Sequence, residues 1–447
     1  MLLLSIFIYI FMPFFMGLNS IYLLSLCYVV KAAIDVNYRN ILVSRTVTKE
    51  VFRLFLAVIP ALILAMLVLL INGTRDVSFI LPLINQLYKL LVGLFVYAHF
   101  LQKKKSAIVY CIYAFAVQAV MQTVSFFSSN INTFFNMFRD PYAVKIGTLY
   151  YGGYRGLVVG AASFFSISAA YALIFVIVAE YWDKIKIQRY LKLIILGIMC
   201  FAAISAGRTA FVGMAVAVAI PCVLSFINLK KKENKVHKSK KKRRVNPANI
   251  VALCGISIVL LLLWLLDLNG VLDVSLSKQI NEKIASFLKY AFEFVYNFLN
   301  GNGFTTVSTD VLQDMYFPVS MKTFVLGDGL YTGEFGGYYM STDAGYMRQI
   351  LYFGIIGFFS LVCFQMTFFM YKQGSKTKLY SLAIIILLFV LHYKGEVIGY
   401  LHITQGILLL RMLSEIHEKN DVRENYTDGK CYNECLQRNG ARIEKIY

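Results

Sequence analysis

Apolar runs of about 20 residues, separated by short polar stretches, recur along almost the whole chain. Candidate membrane-crossing helices cover residues 54 to 72, 80 to 100, 107 to 127, 156 to 179, 190 to 206, 208 to 227, 249 to 267, 347 to 371, 378 to 394 and 398 to 413, nearly all near the length needed to traverse a hydrocarbon core. Ahead of them, residues 2 to 34 form one long span or two short ones broken near Pro13 and Gly17-Leu18-Asn19-Ser20. The pattern predicts an all-α, polytopic helical bundle with 11 or 12 spans in a single multi-pass domain over 1–447. The apolar N-terminal stretch has no basic leader and is followed by more spans, so it reads as a first membrane helix and not as a cleaved signal.

Composition agrees: 59% of the 447 residues are hydrophobic and only 15% are charged, far from a soluble domain. The net charge of +20 would suit a nucleic-acid partner if it formed one patch. Instead the basic residues lie in loops between apolar stretches, which excludes nucleic acid and gives orientation. Alternating the loops from the basic run at 230 to 245 gathers 31 Lys and Arg on one side and 10 on the other. Positive-inside insertion makes the first side cytoplasmic. It carries the basic loop 228–248 and the tail 414–447, and the opposite side carries loops 128–155 and 268–346. The run itself, with ten Lys/Arg and Glu233 between 230 and 244, is a topology anchor or a patch for anionic headgroups.

Six of the eight cysteines, Cys27, Cys111, Cys200, Cys222, Cys254 and Cys363, sit in apolar stretches and act as small hydrophobes. Cys431 and Cys435 have no further ligand at zinc spacing. No metal and no cofactor is expected. No transporter-like internal repeat is visible.

On the external side, residues 278 to 299 place Ile280, Ile284, Phe287, Leu288, Ala291, Phe294, Val295 and Phe298 on one helical face. That is an amphipathic helix, suited to the membrane surface or to capping the bundle. The glycines of "GNG" (301 to 303), "GDG" (327 to 329) and "TGEFGGYY" (332 to 339) mark turns.

Candidate chemistry gathers at one lip. A helix starting near Thr342 or Asp343 has a preferred N-cap residue, and its free N–H groups attract anions. Arg348, little more than a turn inside, can lean back to the same place. Together they suit a phosphate at headgroup depth, although Asp343 as a plain cap and Arg348 as the partner of an acid fit the same pattern. Arg208 stands in the tight turn "SAGRTA" (205 to 210), and Arg139, Asp140, Lys145 and Arg155 lie in the loop at 138 to 156. The hairpin "LHYKGEVIGYLH" (391 to 402) adds His392, Lys394, Glu396 and His402, which could shuttle protons or line a polar turn. Tyr331, Phe335, Tyr338 and Tyr339 offer flat faces for sugar rings or an interfacial aromatic belt. Lys89 is the one basic residue well inside an apolar stretch, whereas a carrier of anionic lipid would be expected to place several there.

The pattern "GDGLYTGEFGG" followed by "STDAGYMRQILYFGIIGF", with "ISAGRTAFVGMAVAVAI" at 204 to 220, resembles the O-antigen and capsular polysaccharide polymerases of the Wzy type, which are related in layout to O-antigen ligases. The matching elements are Gly327 to Gly329, the run Asp343-Ala344-Gly345-Tyr346, the Gly354 and Gly357 pair, and Ser205 with Arg208. A ligase is expected to carry His where Asp343 stands, and the spaced arginine-to-glycine repeats of some polymerases are absent. The resemblance implies a metal-independent glycosyltransferase in the cytoplasmic (inner) membrane of a bacterium. It would move glycan from an undecaprenyl-pyrophosphate-linked oligosaccharide to another lipid-linked repeat unit at the outer face. Membrane lipids, a chain-length regulator and a flippase are the implied partners, and a ligase or a flippase is the alternative. Arg208, Arg348 and Asp343 become the expected catalytic residues, with Asp343 ahead of Glu334 and Glu396 as base. Arg139, Arg155, Glu334, Tyr338, His392 and Glu396 are the expected substrate contacts.

Overall fold

The computed structural model describes residues 1–151, 155, 157–162, 164–233, 278–303, 305–334 and 336–418. The expected span at 249 to 267, most of the basic loop, Phe335, Cys254, and the tail with Cys431 and Cys435 lie outside the described residues.

The protein is an all-α polytopic membrane protein. Among the described residues seven helices are long and apolar enough to cross a bilayer: α4 (Arg45–Asn72), α5 (Ile80–Gln102), α6 (Ala107–Phe127), α9 (Phe164–Tyr181), α10 (Arg189–Ala206), α16 (Gly345–Thr367) and α17 (Ser375–Lys394). The apolar start is broken where Pro13 and Gly17 predict. It forms α1 (Leu2–Phe11), a hairpin of β1 (Phe14–Phe15) and β2 (Leu18–Asn19) with Phe14 opposite Asn19, and α2 (Ser20–Ile34). Asp35 then turns the chain by 111° into α3 (Val36–Leu42). Its carboxylate accepts from the amides of Tyr38 and the Gln102 side chain, capping α3. The pair α2–α3 counts as an eighth span if taken together.

The remaining elements are α7 (Ser129–Asn136), α8 (Pro141–Tyr151), α11 (Ala210–Glu233), α12 (Lys278–Ala291), α13 (Glu293–Leu299), α14 (Val307–Asp314), α15 (Met321–Leu326) and α18 (residues 402–418). The span expected from 156 starts only at Phe164, because residues 157–162 run along the end of α1. There Ala161 N–H bonds Phe11 O, and Gly160 meets the same carbonyl so closely that a Cβ would collide. The amphipathic stretch at 278 to 299 is two helices, broken at Phe292.

α9 is the core helix: from Ile167 to Val178 every residue is buried. α11 approaches it backbone to backbone at Gly213 and Ala172, where no side chain fits. α4 shows how the edge is built. Leu54, Val58, Ala61, Ala65 and Val68, at three- and four-residue spacing, face inward, while Leu56, Ile59, Ile63, Met66 and Leu70 face out. An apolar outer stripe beside an apolar inner one is what lipid as solvent allows.

Two polar features inside the bundle are structural. Lys89 donates to the carbonyl of Ile10 at 3.5 Å and stands 5.6 Å from the Tyr9 ring. Its ammonium thus meets the C-terminal end of α1, where orphan carbonyls and the helix dipole favour a cation. At the end of the molecule that bears the α9–α10 turn, Arg411 grips Glu180 with two bonds of 2.7 and 2.9 Å and also reaches Ser381 and Tyr371 at 3.0 and 3.3 Å.

Candidate functional site

The opposite end of the bundle gathers the loop 73–79, residues 155–162, the α10–α11 turn, α12 to α15, the start of α16 and the hairpin after α17. The start of α16 lies against the end of α17 because residue 345 is glycine: a Cβ there would strike the carbonyls of His392 and Gly395. This apposition brings Asp343 and Arg348 opposite Lys394 and Glu396. It also changes the expected cap. The helix begins at Gly345 with Ala344 as N-cap and no side-chain cap bond. Thr342 Oγ1 accepts from Ala344 N–H at 3.3 Å, and Asp343 projects to solvent. The end expected to be open to an anion is instead packed on α17 carbonyls.

Arg348 is nine-tenths buried. Its guanidinium lies 3.7 Å from the ring centre of Tyr331 and 4.2 Å from that of Tyr338, a cation between two aromatic faces. Nη1 is 3.4 Å from Glu396 Oε2, and the Tyr331 hydroxyl donates to the same oxygen. Arg348 Nε and Glu396 Oε1 are buried without a hydrogen-bond partner. Burial pushes the Glu396 carboxyl above the usual range, while Arg348 and the Tyr331 hydroxyl pull it down. Asp343 is also raised by its crowded surroundings, against the pull of Lys394 and Arg348.

The charges continue away from Arg348. Lys394 Nζ donates to Ser308 at 2.6 Å and senses Arg208, Arg155, Asp343 and Glu293. Arg208 pairs with Glu293, whose other oxygen accepts from Val307 N–H at 3.0 Å. Arg155 donates to Ala206 O at 2.6 Å, and Arg155 and Arg208 share the Tyr290 ring at 5.4 and 4.8 Å. Four cations from four separate segments thus stand with Glu293, Asp343 and Glu396.

The other expected contacts stand in different settings. Arg139 is committed to neighbouring protein groups. It is 2% exposed and directs its donors at Val158 O, Leu157 O, Asn132 and Asn136, holding the loop after α6 in place. Burial lowers its guanidinium to about 10. His392 is a buttress: Nδ1 accepts from the amides of Val397 and Ile398 at 3.0 and 3.1 Å, and the ring stacks on Phe358. With Nδ1 accepting twice, its proton sits on Nε2, and of the two roles the sequence left open these bonds favour the lining of a polar turn. Glu334 is exposed in the turn capped by the Thr332–Tyr338 bridge. His402 is half-buried at the start of α18, where the Lys89 charge reaches it.

The "GDG" segment does more than turn. α16 is interrupted at Phe353 and Gly354, with φ of −138° and 67°. The carbonyls freed there, Leu351 O and Tyr352 O, accept from Asp328 N–H at 2.7 Å and Gly329 N–H at 2.9 Å. Gly354 and Gly327 are needed because the two backbones touch. Asp76, which sequence reasoning passed over, ties the same segment from the other side.

Among the described residues no three His, Cys, Asp or Glu side chains gather as a metal site. No known protein family, curated protein or solved structure matches the chain.

Proposed function

We propose that the line of charges handles the diphosphate of a lipid-linked saccharide, and that the protein is a membrane glycosyltransferase of the polysaccharide-polymerase kind. The observation that carries this reading is the gathering of Arg155, Arg208, Arg348 and Lys394 at one end of the bundle. Four cations stand there against the three carboxylates Glu293, Asp343 and Glu396, and the surplus positive charge suits an anionic ligand. In the proposed reaction an acceptor hydroxyl attacks the anomeric carbon of the donor. The bond from that carbon to the phosphate oxygen breaks, the diphosphate leaves with the electron pair, and Asp343 takes the hydroxyl proton. Asp343 is preferred over Glu396 because it reaches solvent, whereas Glu396 is engaged with Arg348 and Tyr331. The cations stabilise charge as it develops on the leaving group. The resemblance to O-antigen and capsular polymerases supports the same assignment and, with it, a bacterial inner membrane.

The test is purified protein in proteoliposomes with diphosphate-linked repeat units. Lengthening into a series of products, lost in Asp343→Asn with normal folding, supports the reading. Normal lengthening in Asp343→Asn and Arg348→Ala overturns it. A second reading, a carrier that moves lipid-linked saccharide, draws on the interrupted α16, since broken spans commonly line transport sites. Movement of substrate across the bilayer without new glycosidic bonds selects it. Transfer to a supplied lipid A core would select the ligase.

A further inference from the structure

Residues 327–332 are stretched between two membrane helices. On one side the loop after α4 holds them. Asn72 Nδ2 donates to Gly327 O at 3.1 Å and Thr74 Oγ1 to Gly329 O at 2.9 Å. Asp76 Oδ2 accepts from Tyr331 N–H, Thr332 N–H and Thr332 Oγ1–H at 2.7, 2.8 and 2.9 Å. On the other side the freed carbonyls of α16 hold Asp328 and Gly329. Tyr331 stands at the end of this strap, its ring over Arg348 and its hydroxyl on Glu396. Phe79, from the same loop as Asp76, closes its flank at 5.3 Å between ring centres.

We propose that Asp76 is a positioning residue of the Arg348 site: by gripping the backbone of Tyr331 and Thr332 it sets the ring that faces Arg348 and the hydroxyl that engages Glu396. A carboxylate suits the task because one oxygen can accept three donors that converge from two consecutive residues, and charge strengthens each bond. Ser78 N–H takes the other oxygen at 3.0 Å, so the carboxylate cannot rotate away. The assignment rests on the reading of Arg348 and Glu396 as the working end of the molecule, but it can be tested without substrate.

The readout is the protonation midpoint of Glu396, followed in the purified full chain by infrared difference titration and assigned with Glu396→Gln. Glu396 is faced by Arg348 from α16, by Tyr331 from the strap, by Tyr338 from the turn after it, by Tyr400 from its own segment, and by Asp343. The Tyr331 hydrogen bond lowers its midpoint. Asp76→Ala is therefore expected to shift the midpoint upward by on the order of one unit, and Tyr331→Phe is expected to do the same. Asp76→Asn, whose carbonyl oxygen can still accept the three bonds, is expected to stay near wild type. In a Tyr331→Phe background, Asp76→Ala is expected to add nothing, since it acts through that hydroxyl. An unchanged midpoint in Asp76→Ala with a lowered thermal midpoint overturns the proposal, leaving a plain loop tie. An equal shift in Asp76→Asn and Asp76→Ala also overturns it. Where Asp76→Ala fails to fold, Thr332→Val removes one of the three bonds and is expected to give a smaller upward shift, its absence being the overturning result. None of these titrations depends on glycosyl transfer, so a failure of the proposed reaction is separately visible.

Discussion

The two ends of the molecule each bury an arginine against a glutamate, and the pairs differ in how completely they are answered. Arg411 and Glu180 make two direct bonds, with Ser381 and Tyr371 taking further donors, and neither side chain has an orphaned buried atom. Arg348 and Glu396 meet at one contact of 3.4 Å, each keeps a buried atom without a partner, and the guanidinium is held by ring faces. A pair closed on itself fastens helices together. A pair with unused capacity, beside Asp343 and Lys394, is available to something else. Arg348 stands out in the sequence as a charge near an apolar span, Arg411 was not singled out there, and only the partners tell the two apart.

The largest effect expected from this contrast is on folding at the Arg411 end. Arg411→Ala leaves Glu180 buried and unpaired and is expected to cost about 3–5 kcal/mol, read as a drop in thermal midpoint or in the monodisperse fraction in detergent. An equal drop in Arg348→Ala would erase the distinction. Next, Arg348→Ala is expected to lower the proposed glycosyl transfer by roughly 10²–10³-fold with a smaller change in midpoint. Arg348→Lys is expected to rescue little, because an ammonium cannot fill the slot between two tyrosine faces. Smaller is a pH effect on the fold. The Glu396 carboxyl is raised above its ordinary value of 4.5, so the folded state holds that proton more tightly than the unfolded one. Stability from this group is expected to fall as pH rises through the window above 4.5, and the slope should vanish in Glu396→Gln. Smallest is the opposite slope from Asp76. Burial works to raise it, but bonds from Ser78, Thr332 and Tyr331 hold it at about 2. Its contribution is present above 3.8 and lost as pH falls through about 2, a slope absent from Asp76→Asn in thermal scans against pH.

Apolar periodicity located α5, α6, α10 and α17 to within a few residues, because a lipid-facing helix must be apolar for most of its length. It failed where a tertiary contact overrides local pattern. The gap in α16 is invisible in "YFGIIGF", since glycines three apart read equally well as a packing face for another helix. Only the docking of Asp328 and Gly329 makes the gap tolerable. The candidate site was legible in part. Arg208 and Arg348 stood out by position, as did Glu396 at lower rank. The internal bonds of Arg139 were not legible, because a loop arginine that binds its own surroundings has the same sequence signature as one that binds a ligand. Asp76 was missed because its partners lie 255 and 256 residues away, and a single acid in a seven-residue loop gives no local hint of them.

The seat of α1 has a consequence for how the chain is made. Tyr9 lies against Gly93 of α5 and Gly406 of α18, and Ile10 meets Lys89. Ten residues rise only about 15 Å, half of a bilayer's hydrocarbon. α1 therefore cannot cross alone, and its seat exists only once α5 and α18 stand beside it.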